Sequence, residues 1–212
     1  MSQPIPLLDE LSWRGLLYQQ TEGLAAHLAA GPVRGYCGFD PTAASLHVGN
    51  LVPVMGLVHL ARAGHTPVAL VGGGTAMIGD PSGKANERTL MTVDLIDANA
   101  AAIHAQLEAI CQRALGASSA PVVLMRNNAA WLRSLDLVRF LRDIGKHFSI
   151  NYMLAKDSVA SRLEHGISFT EFAYMLMQAY DFLHLNQHDG VSLQIGGSDQ
   201  WGNMTAGTEL IR

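Results

Sequence analysis

A chain of 212 residues, 49% hydrophobic and 15% charged, carries enough apolar material for one globular unit with a sizeable core and at most a short appendix. Its 14 basic and 18 acidic residues give a formal net charge of −4, so bulk electrostatics do not announce a nucleic-acid binder, and RNA contact would need a local basic patch, a dimer groove or a further domain. No apolar run reaches the ~20 residues of a membrane helix, Met1-Ser2-Gln3-Pro4 does not open a signal peptide, and two cysteines, Cys37 and Cys111, are too few for a disulfide framework or a zinc site, so a reducing cytoplasm is the expected setting.

In chain order, residues 7–30 read as two short helices broken around Thr21-Glu22-Gly23. Residues 33–39 form an apolar first strand that ends in the turn Gly38-Phe39-Asp40-Pro41-Thr42. Helical spacing of apolar side chains covers 48–63 and stops at Gly64, a residue type favoured just past a helix end. A β-rich run at 66–71 is closed by Gly72-Gly73-Gly74. An alanine-rich helix over 94–115, a surface connection at 116–120 and a third strand at 121–125 follow. Shorter helices are predicted at 135–144 and 157–164, a strongly apolar helix at 169–185, a strand at 192–195 and a last helix at 200–211. Strands alternating with helices predict an α/β fold, a parallel sheet covered on both faces. In such a sheet ligands gather outside the carboxyl ends of the strands, where this chain is richest in Gly, Asp, Thr and His.

Two constellations carry chemistry. Gly38-Phe39-Asp40-Pro41-Thr42 leads through Ala43-Ala44-Ser45-Leu46 to His47-Val48-Gly49-Asn50. Where a strand hands over to a helix, the helix start attracts anions, His47 can donate to phosphate oxygens, and Gly49 lets a base and ribose approach the backbone. Taken singly, each of these residues fits an ordinary strand–turn–helix better; the spacing as a whole points to a nucleotide site. In the helix 169–185, Tyr174, Gln178 and Asp181 stand at i, i+4 and i+7, a polar stripe among Phe172, Met175, Leu176, Ala179, Phe182 and Leu183. Buried polar groups need partners, supplied either within the core or by a small polar ligand.

The glycine clusters fit neither of two familiar phosphate patterns. Met77 stands where a dinucleotide fingerprint needs its third glycine, and the first Walker glycine would fall on Ile78. Lys84 and Arg88 sit on a Gly/Ser/Asn loop that suits either solvent or a departing pyrophosphate. His59, His65, His104, His165, His184 and His188 lack metal-ligand spacing and read as surface or capping groups; Trp13 and Trp131 read as packing residues, and Cys37 as an unactivated thiol.

Residues 36–50 resemble the first signature of class I aminoacyl-tRNA synthetases, the His-Ile-Gly-His element. Gly79-Asp80-Pro81-Ser82-Gly83 and Ile195-Gly196-Gly197-Ser198-Asp199-Gln200-Trp201-Gly202-Asn203 resemble the tyrosyl members specifically, as do Gly145-Lys146-His147-Phe148 and Ser168-Phe169-Thr170-Glu171-Phe172. The similarity runs from about Tyr36 to the last residue. One position departs: Asn50 replaces the second histidine, although an amide can still donate to a ribose oxygen.

The resemblance implies a Rossmann-like catalytic domain over 33–212 with a helical insertion at about 128–188, preceded by a helical segment 1–32. It implies activation of tyrosine by ATP to tyrosyl-adenylate and pyrophosphate, then transfer to tRNA(Tyr). It implies Tyr36 and Asp181 at the phenol hydroxyl, Asp80, Tyr174 and Gln178 at the ammonium group, and Gln200 near the carboxylate. For ATP it implies His47 and Thr42 at the phosphates with Asn50 assisting, Asp199 at the ribose hydroxyls and Asp40 in positioning. Gly38, Gly49 and Gly197 would give backbone access, and Lys84 and Arg88 would be mobile cations. Mg²⁺ would travel with ATP rather than occupy a protein-held metal site. Family members are homodimers, and the apolar stretch around Phe169 resembles their interface. A Lys-Met-Ser-Lys-Ser-like second signature and an anticodon-binding region do not occur before Arg212, so the expectation for this extent of chain is tyrosine binding, weak activation and no efficient tRNA charging. A tryptophanyl enzyme shares the architecture, but an indole would not require both Tyr36 and Asp181. A non-catalytic RNA-binding relative and a nicotinamide oxidoreductase are weaker fits, the second lacking its glycine fingerprint.

Overall fold

In a computed structural model, which describes residues 6–80, 91–116, 123–160, 163 and 166–212 (without the side chains of 157 and 158), four parallel strands form the sheet. They are β1 (Arg34–Phe39), β2 (Thr66–Val71), β3 (Leu124–Asn127) and β4 (Val191–Gln194), in the order β3-β2-β1-β4. Residues 67–71 of β2 are all buried, as the unbroken apolar run demands of a strand covered on both faces.

The helices are α1 (Leu7–Trp13), α2 (Leu24–Ala29), α3 (Leu51–Arg62), α4 (Val93–Leu115), α5 (Ala129–Leu132), α6 (Leu137–Asp143), α7 (Ile150–Leu154), α8 (Asp157–Ala160), α9 (Phe169–Asp189) and α10 (Trp201–Ile211). Successive strand side chains point to opposite faces. Cys37 and Phe39 therefore join Val54 and Leu57 of α3 and Ile103 and Leu107 of α4 on one side. Tyr36, between them in sequence, joins Val68, Trp131 of α5, and Phe182 and Leu185 of α9 on the other. Leu7 and Leu11 of α1 pack on Leu60 and Leu193. A fourth cluster gathers Met153 and Val159 against Met175 and Ala179 of α9 and Ala206 of α10.

The predicted parallel α/β order holds, with shifts that have local causes. The helix expected over 48–63 opens as a tight single turn, Val48–Asn50, before α3 begins; Gly64 past its end adopts φ +87°. The third strand lies at Leu124–Asn127 rather than 121–125; residues 121 and 122 lie outside the described residues. α9 outruns its apolar stretch to Asp189, because Gly190 at φ +64° supplies the left-handed cap that ends it. α5 and α7 are too short for helical periodicity to register. Among the described residues, no helix is long and apolar enough to cross a membrane.

α10 approaches α9 so closely that a Cβ at Gly207 would stand 2.9 Å from Phe182 Cδ1 and 3.1 Å from its Cβ. Overpacking typically costs ~1–3 kcal/mol against the ~1 kcal/mol that alanine gains over glycine in a helix. Gly207→Ala is therefore expected to lower stability by up to ~2 kcal/mol, read as a reduced urea midpoint. A raised midpoint would mean that the two helices are not in this contact.

Candidate functional site

The carboxyl ends of β1, β2 and β4 open into a cleft of about 470 Å³. Tyr36 and Asp181 stand at its floor. Tyr36 is 1% exposed, its ring leans on Phe182 at 5.3 Å, and its buried hydroxyl has no hydrogen-bond partner. Asp181 enters from α9, also buried. Its Oδ1 accepts from Trp131 Nε1 at 2.7 Å and its Oδ2 from Asn128 Nδ2 at 2.8 Å. Asn128 is itself fixed, since its Oδ1 accepts the Gly74 N–H at 2.7 Å and its Nδ2 also reaches Thr75 Oγ1 at 3.1 Å. Burial pushes the Asp181 carboxyl up from 3.8 to about 7; the Asn128 and Trp131 hydrogen bonds oppose this rise and Asp40 adds to it. Burial, reinforced by Asp181, also raises the Tyr36 hydroxyl.

Toward the amino end of α9, Gln178 and Tyr174 face the same cleft, as their spacing requires. Tyr174 Oη donates to Asp40 Oδ2 at 3.1 Å, and Thr75 Oγ1 donates to Asp40 Oδ1 at 3.0 Å. Burial holds the Tyr174 hydroxyl well above its usual value, with Asp40, Asp80 and Asp181 each adding to the shift. Three carboxylates around one phenol make the middle of the cleft a place for a cation. Asp80 Oδ2 accepts from Gln200 Nε2 at 2.7 Å, and Asn203 Nδ2 donates to Gln200 Oε1 at 3.2 Å.

The sequence left open whether the polar stripe of α9 is satisfied by the core or by a ligand. The core satisfies Asp181 and Tyr174, yet the buried Gln178 Oε1 has no partner, and neither has Gln194 Oε1 at the end of β4. With the Tyr36 hydroxyl, three orphaned atoms line one cleft. Each costs about 1–3 kcal/mol while unpaired, so the arrangement calls for a polar occupant.

The mouth is built by the segments β1–α3 and β4–α10, which bring Thr42, His47, Gly49, Asn50, Gly197 and Asp199 to the cleft. The His47 backbone N–H donates to Asn50 Oδ1 at 3.0 Å, so the amide oxygen serves the turn and the Nδ2 hydrogens remain for a ligand. A Cβ at Gly49 would stand 3.0 Å from His47 Nδ1 and Cε1, so glycine here seats the imidazole. Gly38, by contrast, faces open space where a side chain would be. Helical turns begin at Val48 and Ser198 beside the cleft, and helix starts favour anions.

All the site residues singled out in the sequence thus meet in one cleft, save Lys84 and Arg88, which lie outside the described residues. No group of three or more His, Cys, Asp or Glu that could hold a metal occurs among the described residues. Sequence reasoning missed Thr75, Asn128, Trp131 and Gln194. Trp131 is more than the packing residue that the sequence suggests, because its indole N–H holds Asp181. Asn128 and Gln194 sit at or just past strand ends, the one signal that could have found them. His59 and His184 also depart from expectation. His59 is 3% exposed and 3.6 Å from Glu10, and His184 stacks on Trp131 at 4.3 Å; burial lowers both imidazoles.

The sequence profile of a family described as tRNA synthetases class I (W and Y) matches residues 28–212. The chain is 58% identical over 205 residues to a tyrosine–tRNA ligase of Anaeromyxobacter dehalogenans and 57% identical over 208 residues to one of Roseiflexus castenholzii. Each alignment takes in 97% of this chain and 48% of the relative, so the chain spans about half the length of the curated relatives it matches. A crystal structure of a C-terminally truncated mitochondrial tyrosyl-tRNA synthetase from Aspergillus nidulans matches with a TM-score of 0.84 at 33% identity, covering 97% of this chain and 61% of that one.

The raised carboxyl of Asp181 links stability to pH. Folding favours its neutral form, so its contribution is complete below about pH 4 and is lost as pH rises through about 7. The full effect is on the order of 4 kcal/mol. Relative to Asp181→Asn, the ligand-free wild type is expected to lose stability between pH 5 and pH 8; taking this difference cancels the opposite-signed contributions of His59, His65 and His184. Parallel pH profiles of the two proteins in chemical denaturation would contradict it.

Proposed function

This chain belongs to the class I tRNA synthetases (W and Y), and on that premise we propose that it is the nucleotide-binding core of a tyrosine–tRNA ligase. In this reading it binds L-tyrosine and ATP and forms tyrosyl-adenylate, releasing pyrophosphate, for transfer of the tyrosyl group to tRNA(Tyr). The observation that carries the reading is the orphaned Tyr36 hydroxyl in the same cleft as an Asp181 carboxylate already oriented by Trp131 and Asn128. A phenol entering there donates to Asp181 and accepts from Tyr36. Phenylalanine would leave the Tyr36 hydroxyl unpaired, at about 1–3 kcal/mol, and would bring the Asp181 carboxylate no donor beyond Trp131 and Asn128. An indole N–H could serve Asp181 but offers Tyr36 no acceptor.

The ammonium group of tyrosine then lies among Asp80, Tyr174 and Gln178, where the carboxylate field favours it, and Gln200 faces its carboxylate. That carboxylate attacks the α-phosphorus of ATP as the bond to pyrophosphate breaks, with no protein nucleophile. Catalysis rests on positioning and on donors aimed at developing charge. His47 and Thr42 act at the phosphates, with Asn50 assisting; Asp199 holds the ribose hydroxyls and Asp40 aligns the two substrates. Gly38, Gly49 and Gly197 keep the backbone open to the nucleotide. Mg²⁺ would travel with the triphosphate and offset part of its charge, and Lys84 and Arg88 would supply further positive charge. The setting is cytoplasmic.

The chain pairs with a second copy through an apolar groove of about 650 Å³ between α6, α7 and the start of α9. It is lined by Leu137, Phe140, Ile150 and Phe169, of which Leu137 and Phe169 are 68% and 77% exposed.

Calorimetric titration tests the substrate assignment. Tyrosine is expected to bind saturably at pH 8, with phenylalanine and tryptophan each at least about tenfold weaker. Tyrosine affinity should fall by about tenfold per pH unit below about 7, as Asp181 takes up its proton. A folded chain that binds no tyrosine, or binds phenylalanine equally well, would sink the assignment. Light scattering should give twice the chain mass, and a monomer mass would reject the pairing.

A further inference from the structure

α4 carries two polar side chains that the mechanism above leaves unused. Asn99 and Gln106 are seven residues apart on one face of the helix, about 10 Å along its axis. Their neighbours on that side, Ile103 and Leu107, seat the helix on the sheet. Asn99, buried, donates its Nδ2 to the Pro41 carbonyl at 3.2 Å. Gln106 grips the chain at two points: its Oε1 accepts the Leu46 backbone N–H at 3.1 Å, and its Nε2 donates to the Ala44 carbonyl at 3.0 Å.

The segment so gripped needs a hold. Residues 42–45 are exposed, and the backbone hydrogen bonds at its ends are short turns, Thr42 N–H to Asp40 O and Asn50 N–H to His47 O, both 2.9 Å. Among the described residues, 43–46 make no backbone–backbone hydrogen bond of their own. A stretch without a ladder keeps its shape through side-chain partners, and here these come from α4. The stretch also joins Thr42 to His47, the two donors assigned to the phosphates.

Resting on that functional reading, we propose that Gln106 and Asn99 are positioning residues, which clamp the 41–46 segment and so set where Thr42 and His47 stand when the nucleotide arrives. Neither touches substrate. With the clamp intact the donors are ordered before binding; without Gln106 the segment must be ordered at the expense of nucleotide affinity. Tyrosine, held by α9 and the floor of the cleft, is indifferent to the clamp. A general packing role would instead weaken both ligands together.

Gln106→Met removes both hydrogen bonds while keeping the length of a side chain that is only partly buried. In this variant ATP affinity, measured by calorimetry without tyrosine, should fall about tenfold while tyrosine affinity stays within about twofold. The Leu46 amide should exchange with solvent at least about tenfold faster, with Val71 in β2 unchanged as the internal control. Equal loss of both ligands, unchanged ATP affinity, or unchanged Leu46 exchange would each overturn the clamp. If the wild type itself binds neither ligand, the functional reading fails, and Leu46 exchange still decides whether Gln106 holds the segment.

Discussion

A carboxylate buried without a cationic partner among the described residues is the constraint around which the rest of the cleft is arranged. Asp181 is tolerable only because two donors face it, and each donor imposes conditions further out. Asn128 can present its Nδ2 only if its own oxygen is occupied, which brings the Gly74 N–H to 2.7 Å. That approach explains the three glycines after β2. A Cβ at Gly74 would stand 2.8 Å from Leu132 Cβ, and one at Gly73 would stand 2.6 Å from Asn127 Oδ1. A side chain at Gly72 would overlap the Asp40 carboxylate. The glycines that fail as a phosphate loop are there to let the β2 loop touch the β3 loop and Asp40. Trp131, the second donor, sits on α5, and its other face stacks on His184, which stacks in turn on His188 at 4.1 Å.

The parallel sheet turns this local constraint into a divided site. Tyr36 and Cys37 are adjacent in sequence but face opposite layers. Tyr36 therefore meets α9 and its carboxylate, while the next residues of the same strand pass to the glycine-lined mouth. The register sets Tyr36 between Val68 and Gln194, and Tyr36, Leu70 and Gln194 bring three neighbouring strands to one cleft. From floor to mouth the character of the cleft changes in order. A buried hydroxyl and carboxylate come first, then a ring of carboxylates suited to a cation, then an imidazole, amides and helix starts suited to a polyanion.

Much of this was legible in the sequence because it is periodic or contiguous. The unbroken apolar run of β2, the i, i+4, i+7 stripe of α9 and the spacing from Gly38 to Asn50 each report local geometry directly. What escaped is tertiary. Nothing in Asn128 or Trp131 says that they point at a carboxylate some fifty positions later; the helix that Asn128 precedes and Trp131 occupies, four residues long, has no period to read. Gln194 looks like any strand-end glutamine until its oxygen is found buried and unpaired. His59 resembled a surface histidine because its burial depends on α1, a distant segment, packing over α3. The function of the stripe could not be decided from sequence either, since only the packed core shows that Asp181 and Tyr174 are satisfied while Gln178 is not.

On the proposed function, the three orphaned atoms, Tyr36 Oη, Gln178 Oε1 and Gln194 Oε1, mark a place kept for a phenolic amino acid. A crystal structure of the chain grown with L-tyrosine tests it most directly. The phenol oxygen is expected within hydrogen-bonding distance of both Tyr36 Oη and Asp181, with the ammonium group beside Gln178 and Asp80. Tyrosine bound with its ring toward the mouth, or an empty cleft at saturating ligand with the three atoms paired to protein groups, would contradict it.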